Sequence, residues 1–276
     1  MDEFDFEQQL KATRSQLSRY AKDLKALLER EKEKTKKLET THAQMQAYAR
    51  DLKAAYDAEQ RKTKELEKAY ADTVLRLALA SRYKDEETGT HIQRLSHYSW
   101  VLAQYIGVDP EEARLIFDAA PMHDVGKVGI PDSVMKKQGP LDEEEWAMVK
   151  QHPVFGASLL DGSPSPLLKK AREIALTHHE RWDGSGYPNA LKGKEIPLSG
   201  RIVMLVDTYD ALRSRRSYKP SFSHAKTCDV MLNGRERTRP EHFDPKLLEA
   251  FREVHLQFDE IFGRIAEIPD RRMDKK

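Results

Sequence analysis

Apolar residues along the first 75 positions recur every seven residues: Leu10, Leu17, Leu24, Leu38, Met45, Leu52 and Leu66 occupy one heptad position. Tyr20, Leu27, Tyr48, Ala55 and Ala69 follow three residues later. This 3–4 spacing keeps a single stripe facing a partner helix and predicts a coiled-coil helix over residues 1–75. The segment contains neither Pro nor Gly and is built mainly from Lys, Glu, Ala, Leu and Gln, all good helix formers. Residues 20–39 align with 48–67 at 12 of 20 positions, and the offset of 28 is four whole heptads. The repeat therefore preserves the stripe, including its polar members Glu31/Lys34 and Glu59/Lys62, which lower stability but fix register. A long helix with its stripe left in water is marginal, so the pattern predicts a parallel homodimer through 1–75. The alternative is a solvated single helix that spaces domains.

The pattern changes at Val74, where Val74, Leu75, Leu77, Ala78, Leu79 and Ala80 form a denser apolar face. The rest reads as helices separated by short breaks. Asp109-Pro110-Glu111-Glu112 places a capping side chain before Pro at the first helical position, and Leu141-Asp142-Glu143-Glu144-Glu145 reads as another helix start. Loops are expected at Gly139-Pro140, at 161–166, at 184–188 and at Pro240, and also over Arg235 to Arg239. Neither an alternating strand series nor a Gly-rich phosphate loop is present, so the expected fold class is all-α. The expected organisation is a coiled-coil helix over 1–75 for dimerisation or signalling, followed by a catalytic domain over 76–276.

Composition narrows the functional classes. Lys and Arg number 47 against 46 Asp and Glu, which gives no electrostatic case for a nucleic-acid polymer or an anionic membrane as main partner. Apolar runs such as 202–206 are too short to span a bilayer, and the acidic N-terminus lacks the regions of a signal peptide. The one cysteine, Cys228, excludes an intrachain disulfide, fits a reducing cytoplasm, and reads as a buried or incidental thiol. Ten histidines beside one cysteine point instead to histidine and carboxylate metal chemistry.

Five histidines and three carboxylates carry that signal. Glu87 and His91 are four apart and share a helix face. His123-Asp124 are adjacent, so on a helix they point about 100° apart, which suits two ions or one ion near a helix end. His152 precedes Pro153, His178 and His179 are paired, and Asp207 ends the apolar run 202–206. Eight candidate ligands exceed the roughly three protein groups that one catalytic ion uses. Two or three divalent ions are therefore expected, with Asp124 as the candidate bridge. Ions about 3.5–4 Å apart can activate a water between them and hold both oxygens of a phosphoryl transfer. His42, His97, His224, His242 and His255 lie outside the pattern and read as solvated or packing residues.

His123-Asp124 resembles the defining pair of the HD hydrolase superfamily, and the stretch from His178 to Pro188, HHERWDGSGYP, resembles the signature of its HD-GYP branch. The resemblance runs over roughly 76–262 and includes Val125-Gly126-Lys127, His152-Pro153 and Asp207 to Leu212, with Arg216, Tyr218 and Lys219 beyond. It implies an all-helical domain that hydrolyses cyclic di-GMP to linear pGpG or GMP, some members preferring cyclic GMP-AMP. It makes His91, His123, Asp124, His152, His178, His179 and Asp207 metal ligands, with Glu87 an additional ligand of three-ion members. Lys127 matches the side chain that neutralises the scissile phosphate, and Arg216 and Lys219 match positions that reach the substrate's phosphates. The loop with Gly184, Gly186 and Tyr187 is expected to hold substrate or a partner protein. Iron or manganese is the expected metal, and a hydroxide between two ions is expected to attack phosphorus with the ribose 3′ oxygen leaving. The rivals are an HD-type hydrolase of a mononucleotide and a metal-bearing binding module.

Overall fold

The computed structural model describes residues 3–81, 89–214, 221–235 and 238–266. Contacts divide the chain into two units, 1–69 and 70–276. Helix α1 spans Glu3–Ser81 and supplies the described residues of the first unit. In the first unit, taken by itself, every leucine of the heptad stripe is exposed, from Leu10 at 49% to Leu52 at 73%. Lys34 Nζ lies 2.9 Å from Glu31 Oε1, a solvated pair that contributes little within one chain.

The second unit is all-α; the described residues contain nine further α-helices and short 3-10 turns, with no strand. They are α2 (Gly89–Tyr105), α3 (Pro110–Ala119), α4 (Asp132–Met135), α5 (Glu143–Val149), α6 (His152–Leu159), α7 (Pro166–Thr177), α8 (Leu198–Arg213), α9 (His224–Asn233) and α10 (Pro245–Ala266). The expected helix starts are present. Asp109 accepts from the Glu111 and Glu112 amides ahead of Pro110, and Asp142 forms a reciprocal capping box with Glu145. Helix α9 begins at a Ser223 cap and ends at Gly234, whose φ of 74° suits glycine.

One core joins α2, α3, α8, α9 and α10 around stacked Tyr98 and Phe258, with Tyr209 edge-on. A smaller one, including Ile92, Met122, Ile174 and Val203, ties α2, α7 and α8 to the turn after α3. That turn breaks into two 3-10 pieces, Ala120–Met122 and Val125–Gly129. Val125–Gly129 lies directly against the start of α6 at Gly126, where a β-carbon would collide with the His152 carbonyl oxygen and the Gly156 amide. Main chain against main chain thus sets the distance between residues 123–124 and His152.

Candidate metal centre

The ends and faces of these helices converge. Asp124, His152, His178 and His179 offer ligand atoms within 4.8 Å of one another, and His91, His123 and Asp207 form a second such group. His91 comes from α2, His152 opens α6, His178 and His179 directly follow the end of α7, and Asp207 lies on α8. His123 and Asp124 occupy the break between the 3-10 pieces, where Asp124 has φ −101° and ψ 10°, outside the helical region. This kink sends the adjacent side chains to different groups. Asp124 reaches both: its Oδ2 is 3.1 Å from His123 Nε2, and its Oδ1 is 3.2 Å from His152 Nε2 and 3.5 Å from His178 Nε2. His91 Nε2 faces Asp207 Oδ1 at 3.6 Å.

The histidine protons are placed by what lies behind the rings. His152 Nδ1 is 2.7 Å from the Val149 carbonyl oxygen, His178 Nδ1 3.0 Å from that of Ala175, and His123 Nδ1 3.0 Å from that of Ala120. A carbonyl only accepts, so each ring donates from Nδ1 and, when neutral, turns an Nε2 lone pair inward. Lone pairs facing carboxylate oxygens at these separations repel, and a cation between them converts the repulsion into coordination. The donor set therefore fits divalent ions, with nitrogen and oxygen ligands and no sulfur. Burial works against the charge on Asp124, but Lys127, 2.7 Å away, and His123 hold its carboxyl well below the usual range.

Sequence reasoning assigned no role to the support of His91. Its Nδ1 donates to Asp210 Oδ2 at 2.7 Å, and Arg94 grips the same carboxylate bidentately, Nε to Oδ1 at 2.6 Å and Nη2 to Oδ2 at 2.7 Å. Arg94 and Asp210 are both buried. Burial favours the neutral acid, yet the hydrogen bonds from Arg94 and His91 overcome it and keep Asp210 ionised far below its ordinary value. A carboxylate behind a ligating imidazole fixes its tautomer and aim. The available signal was spacing: Arg94 lies three residues after His91 on α2, and Asp210 three after Asp207 on α8.

The 184–188 loop closes one side. Glu180 was also missed as a site element; its buried carboxylate accepts from the Asn189 and Leu191 amides at 2.7 and 3.0 Å and pins the loop's far end. Gly184 has φ of 83°, and a β-carbon on Gly186 would strike the Arg181 amide. Tyr187 stacks on His179 with centroids 4.7 Å apart and, with Trp146, Lys150 and Pro188, lines a groove beside the metal-ligand groups. Glu87, Arg216 and Lys219 lie outside the described residues. Of the remaining histidines, His42 is exposed, His97 packs edge-on against Phe117, and His242 is buried. His224 and His255 do more than pack: with Cys228 they form a third group of ligand atoms.

Burial and neighbouring histidine charge hold His178 and His179 below the ordinary histidine value. The folded centre therefore binds protons less readily than the unfolded chain. Its contribution to stability is complete above ~6.5 and is lost as pH falls below that value. The urea midpoint of chelator-treated protein is expected to drop across this window, while in His179→Gln the drop shrinks. An unchanged midpoint in the wild type contradicts the neutral assignment.

Residues 74–247 match the family described as HD domain. The chain is 43% identical over 199 residues to the 3'3'-cGAMP-specific phosphodiesterase 2 of Vibrio cholerae, covering 72% of this chain and 37% of that protein. It is 45% identical over 198 residues to a cyclic di-GMP phosphodiesterase of Vibrio cholerae, covering 67% and 39%. It is 42% identical to the cyclic di-GMP phosphodiesterase response regulator RpfG of Xanthomonas campestris, covering 71% and 50%. The chain thus spans half or less of the length of these curated relatives. A solved cyclic GMP-AMP-specific phosphodiesterase of V. cholerae, V-cGAP3, shares the fold at TM-score 0.51 and 17% identity, covering 72% of this chain and 53% of that one. With the paired ligand groups and the HHERWDGSGYP stretch, these matches place the chain in the HD domain family, in its HD-GYP branch.

Proposed function

We propose that the chain is a metal-dependent phosphodiesterase that hydrolyses cyclic di-GMP to pGpG and onward to GMP. The observation that carries this reading is the convergence of two histidine/carboxylate groups on Asp124, with Lys127 at its side. His152, His178 and His179 hold one ion with Asp124, and His91, His123 and Asp207 hold another. Glu87, one turn before His91, is expected to share a further ion with it, so three ions, iron or manganese, are expected per chain. Bound divalent ions supply positive charge to a phosphodiester and an acidified water at neutral pH.

The chain's own side chains do the rest. Lys127, parked on Asp124, turns its ammonium to a non-bridging phosphate oxygen, where charge grows in the transition state. Arg216 and Lys219 take the other phosphate. Tyr187 and Trp146 line the groove with Lys150, whose Nζ lies 5.9 and 5.7 Å from the two ring centroids, and offer aromatic faces on which a purine can stack. Gly184 and Gly186 let the loop approach closely without side chains.

The second reading is cyclic GMP-AMP, favoured by the relative of that specificity at 43% identity. The test is anaerobic purification with metal analysis, then turnover of cyclic di-GMP, cyclic GMP-AMP and dGTP by iron- or manganese-loaded protein. Cyclic di-GMP is expected to react fastest. Turnover of dGTP alone would replace the reading with a mononucleotide hydrolase, and no turnover at all with a binding module. Two ions, or a count unchanged in Glu87→Ala, would remove the third.

We further propose that the chain works as two parts, 1–75 and 76–276, with the helix pairing in parallel with a second copy in the cytoplasm and the 184–188 loop open to a partner protein. Light scattering is expected to give a dimer at micromolar concentration that becomes a monomer when 1–70 are deleted. A full-length monomer ends the idea.

A further inference from the structure

Helices α9 and α10 bring two histidines together with a thiol, a ligand type absent from the Asp124 centre. His224 and Cys228 are four apart on α9 and share a face. His255 on α10 meets them, its Nδ1 2.8 Å from His224 Nε2, while Cys228 Sγ lies 3.6 Å from the same nitrogen. All three are half-buried, so an ion can reach them from solvent. Behind His224, the Tyr209 hydroxyl lies 2.8 Å from Nδ1, and Asp259, paired with Arg213, approaches to 3.9 Å.

We propose that Cys228, His224 and His255 form a second metal site, for one divalent ion of the zinc class, separate from the Asp124 centre. Tetrahedral zinc with Zn–N near ~2.0–2.1 Å and Zn–S near ~2.3 Å places a nitrogen and a sulfur ligand about 3.6 Å apart and two nitrogens about 3.3 Å apart. The first separation is already present, and the second needs the two rings to part by about half an ångström. Thiolate with two imidazoles selects softer ions than the all-nitrogen and oxygen Asp124 centre. With the ion on Nε2, His224 carries its proton on Nδ1, where it donates to the Tyr209 oxygen. The Cys228 thiol proton passes to solvent, and the nearby Asp259 carboxylate balances charge. Three protein ligands leave the fourth position to water.

Cobalt(II) is the probe, because its thiolate complexes absorb strongly by sulfur-to-metal charge transfer and its imidazole and carboxylate complexes do not. Cys228 is the chain's one cysteine, so the band reports this site whatever occupies the other centre. With the Asp124 centre loaded beforehand with manganese, titration of the reduced chain is expected to saturate the band at a single equivalent of cobalt. The band should vanish in Cys228→Ser, and the affinity behind it should weaken by more than about tenfold in His255→Ala and in His224→Ala. Circular dichroism identifies any variant that has unfolded, and Cys228→Ser then serves as the near-isosteric control. No band with excess cobalt, or a band of unchanged affinity in both histidine variants, overturns the proposal.

Discussion

Asp124→Ala is expected to abolish hydrolysis of cyclic di-GMP while leaving the helical fold in place. Asp124 faces His123 through one oxygen and His152 and His178 through the other. No other described carboxylate belongs to either group except Asp207, which serves the far one. Its removal would take away the negative charge on which the proposed cations depend, and it leaves Lys127 without the carboxylate 2.7 Å away. We expect a fall of more than about a thousandfold, or about 4 kcal/mol of transition-state stabilisation. His123→Ala should behave alike. The measurement is turnover by protein freed of contaminating enzymes, with circular dichroism as the control. Activity within about tenfold of wild type would overturn the assignment.

The second large effect is on stability. In Asp210→Ala the Arg94 guanidinium loses the carboxylate it grips with two nitrogens, in a place where it is only 4% exposed. Breaking such a buried pair from one side costs about 3–5 kcal/mol, because a charge is left in a poorly polarisable environment. His91 also loses the acceptor that aims its ring, and metal affinity should weaken about 10–100-fold. Urea unfolding of metal-free protein separates the first effect from the second. A stability loss under about 1 kcal/mol would show that the pair is dispensable to the fold.

These two predictions fall on either side of what the sequence made legible. Asp124 was readable as a candidate, because adjacent ligands on a helical chain point apart, which suits two ions or one ion near a helix end, and the structure sets it against two groups of ligand atoms. The long helix was readable too, since seven-residue periodicity without Pro or Gly has few other solutions. The starts at Asp109 and Asp142 rest on local hydrogen bonds and were equally plain. Arg94 and Asp210 were not: they are 116 residues apart, and only packing of α2 against α8 brings them together. His224 and Cys228 share a helix face, but His255 lies 31 residues from His224 on another helix, so a lone thiol looked incidental. The two 3-10 pieces at 120–129 were hidden for another reason. The kink lies where the chain packs closely on α6 at Gly126, and no propensity of Met122 to Val125 announces it.

That contact at Gly126 bears on which ions the protein accepts. At Gly126 the segment carrying His123 and Asp124 meets the helix opened by His152 backbone to backbone, so at that point no intervening side chain can take up slack. A larger ion would have to push α6 bodily against α7, whose Ala175 already abuts Gly156. For the proposed centre this would act as in a stiff chelator, whose selectivity comes from radius as well as donor type. In the proposed centre, discrimination by size would then rest on the main chain at Gly126, and exchanging the ligands alone would leave that contact in place.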